Sequence, residues 1–157
     1  MRQMVIGVAC LAFSSFGALA CGRERARSPL EEAARACSHD SELSCPRPIF
    51  NVRSLRESQR YYRDQLGFKI DWEYGEPPDF GSVSRAQSVI FMCQGCQGTP
   101  GAWTMLFAQD VDRLYEEFRR RKAIIKMPPT DRPWGLREMH VADPDGNILR
   151  FGSGIDD

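Results

Sequence analysis

The chain has 157 residues, 42% of them apolar and 27% charged, with Lys+Arg and Asp+Glu balanced at 21 each. That length predicts one domain burying roughly two-thirds of its unfolded surface, with no metal or disulfide needed merely to fold. The charge balance excludes the basic field that draws nucleic acid, so no nucleic-acid partner is expected.

Arg2 and Gln3 are followed by seventeen uncharged residues, MVIGVACLAFSSFGALA, which end in small side chains before Cys21 and the charged run GRERAR. This is the layout of a secretory signal over residues 1–20. Its end can be cut in two ways. Ala18-Leu19-Ala20 suits the ordinary signal peptidase, whereas ALAC is similar to a bacterial lipobox and would make Cys21 the acylated first residue. Export to the periplasm is expected, with a lipid on Cys21 as the membrane anchor. Residues 21–46 read as a tether with a short helix, which starts at Ser28-Pro29-Leu30-Glu31 and has Leu30, Ala33, Ala34 and Cys37 on one face.

Of the six cysteines, Cys10 leaves with the signal and Cys21 would carry lipid, so four remain for an oxidising compartment. Local disulfides Cys37–Cys45 and Cys93–Cys96 are expected. The alternative is a zinc set built from Cys93-x-x-Cys96 with Cys37, His39 and Cys45.

The globular domain spans residues 47–153 and consists of two similar halves, about 47–93 and 102–152. RPIFNVRSLRESQRYYRDQLGFKI runs strand, capped helix, glycine, strand, and WTMLFAQDVDRLYEEFRRRKAIIK does the same 56 residues later. Ser54 with Glu57 reads as a capping box, Leu55, Tyr62 and Leu66 form the buried face, and Gly67 stops the helix. In the second half Asp110 is the cap, and Val111, Leu114, Tyr115 and Phe118 form the apolar stripe. Three short strands follow each helix: about Phe68–Tyr74, Phe80–Arg85 and Ser88–Cys93, then Ala123–Met127, Leu136–Ala142 and Asn147–Gly152. Asp143-Pro144-Asp145-Gly146-Asn147 turns the last two strands into a hairpin, with Pro144 fixing one dihedral and Gly146 supplying a positive φ. Each half is therefore β-α-β-β-β and the fold class is α+β.

These paired units, with SLRESQRYYRDQLGFKIDWEYGEPPDF and the closing WGLREMHVADPDGNILRFG, resemble the vicinal oxygen chelate superfamily, in particular its glyoxalase/bleomycin resistance protein branch. The resemblance covers about Arg47 to Gly152. It implies two repeats that curl a mixed sheet into a cup, and assembly as a homodimer. Alignment with the family, rather than periodicity alone, puts Trp103, Met105 and Phe107 in the cup, with Ile148 and Arg150 from the last strand and Arg47, Ile49 and Asn51 from the first.

Metal-dependent members place His, Gln or Glu at four cup positions. Here those positions fall on Arg47, Ile90, Trp103 and Arg150, none of which offers a suitable lone pair. No metal and no other cofactor is therefore expected, and no catalytic residue is assigned. Glu138 and His140, two apart on one strand, are read as a salt-bridged carboxylate and a hydrogen-bonded wall residue in preference to an acid–base pair. The ligand-binding set is Arg47, Asn51, Trp103, Met105, Phe107, Trp134, Glu138, His140 and Arg150, with Trp72 beside it. The reading that results is a metal-free, non-enzymatic protein of the bleomycin-resistance type, sequestering an amphipathic or aromatic small molecule in a groove at a dimer interface. The acidic loop Gly75–Asp79 would help hold a cationic ligand. The alternatives are a metal-dependent glyoxalase or dioxygenase-type enzyme, and a structural or interaction lipoprotein.

Overall fold

The computed structural model describes residues 45–96 and 98–155. The signal segment, Cys21, the tether helix and Cys37 lie outside the described residues.

Each half is a β-α-β-β-β unit. The first comprises β1 (Ile49–Val52), α1 (Leu55–Asp64), β2 (Lys69–Gly75), β3 (Pro78–Arg85) and β4 (Ser88–Gln94). The second comprises β5 (Trp103–Phe107), α2 (Val111–Arg120), β6 (Ile124–Asp131), β7 (Leu136–Ala142) and β8 (Ile148–Gly154). The sheets have the orders β1-β4-β3-β2 and β5-β8-β7-β6. In each, the first strand crosses over the helix and pairs in parallel with the last, and the remaining pairs are antiparallel.

One face of each sheet is sealed by a helix. Phe50, Val52, Val83, Ile90 and Met92 of the first sheet meet Leu55, Tyr62 and Leu66 in one buried cluster, which also contains Met139, Val141, Leu149 and Phe151 of the second sheet with Val111 and Phe118. Strand alternation then sends the intervening residues to the opposite face. Ile90 is accordingly a core residue, fully buried. The expectation that it lines the cup is corrected, because β4 has the opposite parity and turns Phe91 to the open side, where its ring meets Trp72 and Phe80 at centroid separations of 5.5 and 5.8 Å.

The helix starts differ in their capping. Asp110 Oδ1 accepts the Arg113 N–H at 2.9 Å, as a capping residue does. Ser54 makes no such bond. The Leu55 N–H instead donates to Gln94 Oε1 at 3.0 Å, so the end of β4 caps α1 and the capping-box expectation fails there.

The Asp143–Asn147 turn joins the two halves. Asp143 Oδ1 accepts the N–H groups of Asp145 and Asn147, and Asn147 Oδ1 accepts those of Gly101 and Ala102 at the entry to β5. Asp145 reaches the other half, accepting from Arg53 Nε at 2.9 Å and Ser58 Oγ at 2.7 Å. The Tyr61 hydroxyl donates to the Ala142 carbonyl at 2.8 Å and accepts the Ile124 N–H at 2.9 Å. Burial pushes the Asp143 carboxyl up. Burial also raises Asp145, but the Ser58 and Arg53 hydrogen bonds outweigh it and hold that carboxyl below its usual range.

Candidate functional site

The open face of the second sheet gathers most of the chain's unusual chemistry. In register across β5 and β8, Trp103 stands beside Ile148, Met105 beside Arg150 and Phe107 beside Gly152. On the next strand His140 pairs with Arg150 and Glu138 with Gly152. Trp103 and Phe107 remain 62% and 43% exposed.

The β6–β7 turn brings in two further groups. Pro133 and Trp134 occupy the middle of Arg132–Gly135, closed by the Gly135 N–H to the Arg132 carbonyl at 3.0 Å, and Gly135 has a φ of +79°. This geometry folds Trp134 and Arg132 back over β7. The Trp134 indole N–H donates to Glu138 Oε1 at 2.8 Å, while half of the ring stays open to solvent.

Glu138 is the centre of the site and is fully buried. Arg150 donates to it through Nε at 2.9 Å and Nη2 at 2.6 Å. Arg132 Nε lies 3.3 Å from the same Oε2 as an ion pair, although its N–H is not aligned for a hydrogen bond. Both guanidiniums also sit by the Trp134 ring, 5.8 Å from the centroid for Arg132 and 5.3 Å for Arg150. Burial alone would raise the Glu138 pKa. The Trp134 and Arg150 hydrogen bonds and the two positive charges reverse that and hold it below the usual carboxylate range, so it stays ionised.

His140 is half-buried, with its ring edge-on to Trp103 at 5.2 Å. Burial, then the charges of Arg150 and Arg132, push its pKa below the ordinary imidazole value, so the ring is neutral near pH 7. Its Nε2 has no hydrogen-bond partner among the described residues.

Arg47 and Asn51 are on the other side of the molecule's division into two sheets. Arg47 is exposed and precedes β1. The Asn51 amide donates to the carbonyls of Cys96 and Gly98 at 3.2 and 2.8 Å, holding the loop that follows β4. Cys93, near the end of β4, is disulfide-linked to Cys96 of that loop, with Cα atoms 5.6 Å apart, and Cys45 is disulfide-bonded as well. The open face of the first sheet carries the edge-to-face cluster of Trp72, Phe80 and Phe91. Gly75–Asp79 spans the tip of the β2–β3 hairpin in that same sheet, with Glu76 and Pro77 as its turn.

The four positions aligned with metal ligands do not fit a divalent cation. Arg47 and Arg150 are donors only, Trp103 has no available lone pair, and neither Ile90 nor its neighbour Phe91 can coordinate. Glu138, a natural oxygen ligand, is already committed to two guanidiniums and an indole. Among the described residues no group of three or more His, Cys, Asp or Glu side chains converges.

A family model described as Glyoxalase/Bleomycin resistance protein/Dioxygenase superfamily matches residues 46–151. The chain belongs to that superfamily. Solved structures share its fold at low identity. TioX from Micromonospora sp. ML1 is 16% identical with a TM-score of 0.61, the alignment covering 71% of this chain and 100% of that one. A superfamily member from Sphaerobacter thermophilus DSM 20745 is 24% identical at a TM-score of 0.57, covering 69% and 97%. Lactoylglutathione lyase from Agrobacterium tumefaciens is 16% identical at 0.59, covering 73% and 96%. No match was found among curated proteins. At these identities the structural neighbours speak to the fold alone, and one fold can carry different functions.

Arg132 was not among the residues the sequence singled out for the site. It stands six residues before Glu138 but across the β6–β7 turn, so no strand period links them, and only the direction of the Pro133–Gly135 turn brings the two together.

Proposed function

We propose that the chain is a metal-free binding member of the superfamily, of the bleomycin-resistance type, that sequesters an amphipathic or aromatic small molecule on the open face of the β5-β8-β7-β6 sheet. The observation that carries this reading is the surround of Glu138: Trp103, Phe107 and Trp134 keep 43–62% of their surface exposed around a carboxylate fully spent on its own arginines. Large stiff rings give much contact area for little lost rotamer freedom, which favours flat organic ligands. Trp103, Met105, Phe107, Trp134, His140 and Arg150 form the binding surface, and Glu138 holds Arg150 and Trp134 in position. A second copy of the chain would complete the groove. Export and a lipid on Cys21 would present the cup outside the inner membrane.

The test is titration of tryptophan fluorescence in the purified protein against a panel of planar compounds, with thermal shift in parallel. Saturable quenching that Trp103→Ala weakens at least tenfold is expected. Ligand at a hundred times Kd should add about 2.7 kcal/mol of stability. One tightly held metal per subunit in the purified protein, lost in Glu138→Ala or His140→Ala, would instead establish the enzyme reading.

A further inference from the structure

We infer that the ligand of this cup is a monoanion, an aryl carboxylate whose charge is received by the paired guanidiniums of Arg132 and Arg150. The inference deepens the binding reading above and rests on it. It reverses the charge expected of the ligand from the acidic Gly75–Asp79 loop, which belongs to the hairpin of the other sheet.

The local charge count gives the sign. Arg132 and Arg150 both contact Oε2 of Glu138, so two positive charges share one negative charge, and the neutral imidazole of His140 adds none. One unit of positive charge is left over. A carboxylate balances it, whereas a cation is repelled and a dianion leaves an excess of negative charge in a partly desolvated site. Donors are available as well. Arg150 spends Nε and Nη2 on Glu138, and Arg132 spends Nη2 on Met127 Sδ while its Nε is buried against Glu138, so the Nη1 groups of both are the donors left for a ligand. Both guanidiniums remain partly open, with side chains 33% and 26% exposed, so a ligand oxygen can reach them. Guanidinium groups suit the two oxygens of a carboxylate.

The geometry supplies the aryl part. Met105 stands directly beside Arg150, and Trp103 and Phe107 are one alternate position away to either side. They lie diagonally from Arg150 on the same face of the parallel pair. A ring laid on Trp103 or Phe107 therefore carries a directly attached carboxylate toward Arg150. Trp134, already stacked beside both guanidiniums, closes the charged end.

Matched probes test this on the full-length mature protein: 2-naphthoate, its neutral amide and 2-naphthylmethylammonium, with benzoate and indole-3-acetate beside their own amides. Binding is read by calorimetry at low and high salt. The carboxylates should bind at least tenfold more tightly than their amides and lose that advantage at high salt, while the ammonium compound binds more weakly than the amide. Arg132→Gln should remove most of the carboxylate's advantage over the amide. Arg150→Lys, which keeps the charge near Glu138, guards against misfolding and should retain part of the preference. Equal binding of carboxylate and amide would overturn the charge inference while sparing the aromatic-binding reading. Binding by none of the probes would overturn both.

Discussion

Replacing Glu138 with glutamine removes one negative charge and nearly nothing else, so it isolates what the buried carboxylate contributes to stability. In the native protein that carboxylate accepts from Trp134 and doubly from Arg150, and faces Arg132 at 3.3 Å. Hydrogen bonds to charged groups contribute about 1.5–3 kcal/mol each, but their sum overstates the loss. The glutamine oxygen can still accept from Trp134, and the exposed parts of both arginines let water take over the donors released. What remains is an amide N–H2 buried against two cations that have lost their counter-charge. A destabilisation of about 2–3 kcal/mol follows, on the order of 10 °C in Tm for a domain of this size. The pH dependence has a definite sign. The folded pKa of Glu138 is depressed, so its contribution is complete above the unfolded value near 4.5 and is lost as pH falls through the folded value. Chemical denaturation of both proteins at pH 7 and at steps down to about pH 3 should show the gap narrowing toward acid. A variant within 0.5 kcal/mol of the parent at pH 7, or a gap constant throughout this range, would refute the view that Glu138 is an ionised partner of Arg132 and Arg150.

Tyr61 gives an alkaline counterpart. Burial raises its pKa from 10.0 to about 12, so stability is intact below pH 10 and falls as pH rises toward 12, by about 3 kcal/mol for this group. Tyr61→Phe should flatten that part of an alkaline denaturation series, and should cost about 2 kcal/mol at pH 7 through the lost bonds to Ala142 and Ile124. Two glycine substitutions should differ sharply in thermal melts. A Cβ at Gly81 would lie 2.8 Å from the Trp72 carbonyl oxygen, which is backbone and cannot yield, so Gly81→Ala should cost about 1–3 kcal/mol. At Gly152 the Cβ would strike the Met105 Cε, the end of a flexible side chain. Gly152→Ala should therefore cost less than about 1 kcal/mol yet displace Met105 and weaken binding of the planar probes.

Legibility followed the length scale of the physics. The halves were readable because amphipathic helices and alternating strands write their period directly into sequence, as Leu55, Tyr62 and Leu66 do for α1 and Val111 and Phe118 for α2. Across β5, β7 and β8 the alternation places Trp103, Met105, Phe107, Glu138, His140 and Arg150 on one open face. The parity of β4 is not legible in sequence because Val89-Ile90-Phe91-Met92-Cys93 is apolar on both sides. A strand with one aromatic face and one aliphatic face carries no polar mark to say which is which. Ser54 illustrates another limit: a capping sequence competes with any longer side chain that tertiary structure brings near, and here Gln94 takes the Leu55 N–H. Asn51 has the right strand and parity for a cup residue, but its amide is drawn to the carbonyls of a loop 45 residues away in sequence.

The Asp143–Asn147 turn has its polar side chains committed within the protein. Asp143 and Asn147 spend their polar atoms on the turn itself, on the Tyr62 hydroxyl and on the start of β5, and Asp145 spends its own on Arg53 and Ser58. These bonds hold the two repeats together. A turn with that duty constrains Asp, Gly and Asn wherever the two halves must dock, whatever the cup contains. The open face has no such duty, so residues such as Trp103 and Arg150 can change there without disturbing the joint. Asp145→Asn separates the two roles experimentally. It should weaken docking, visible as a lower Tm and faster amide exchange in α1, while the affinity of the folded protein for a planar probe stays within about twofold. A large loss of affinity with no loss of stability would place the turn in the site and reverse the assignment.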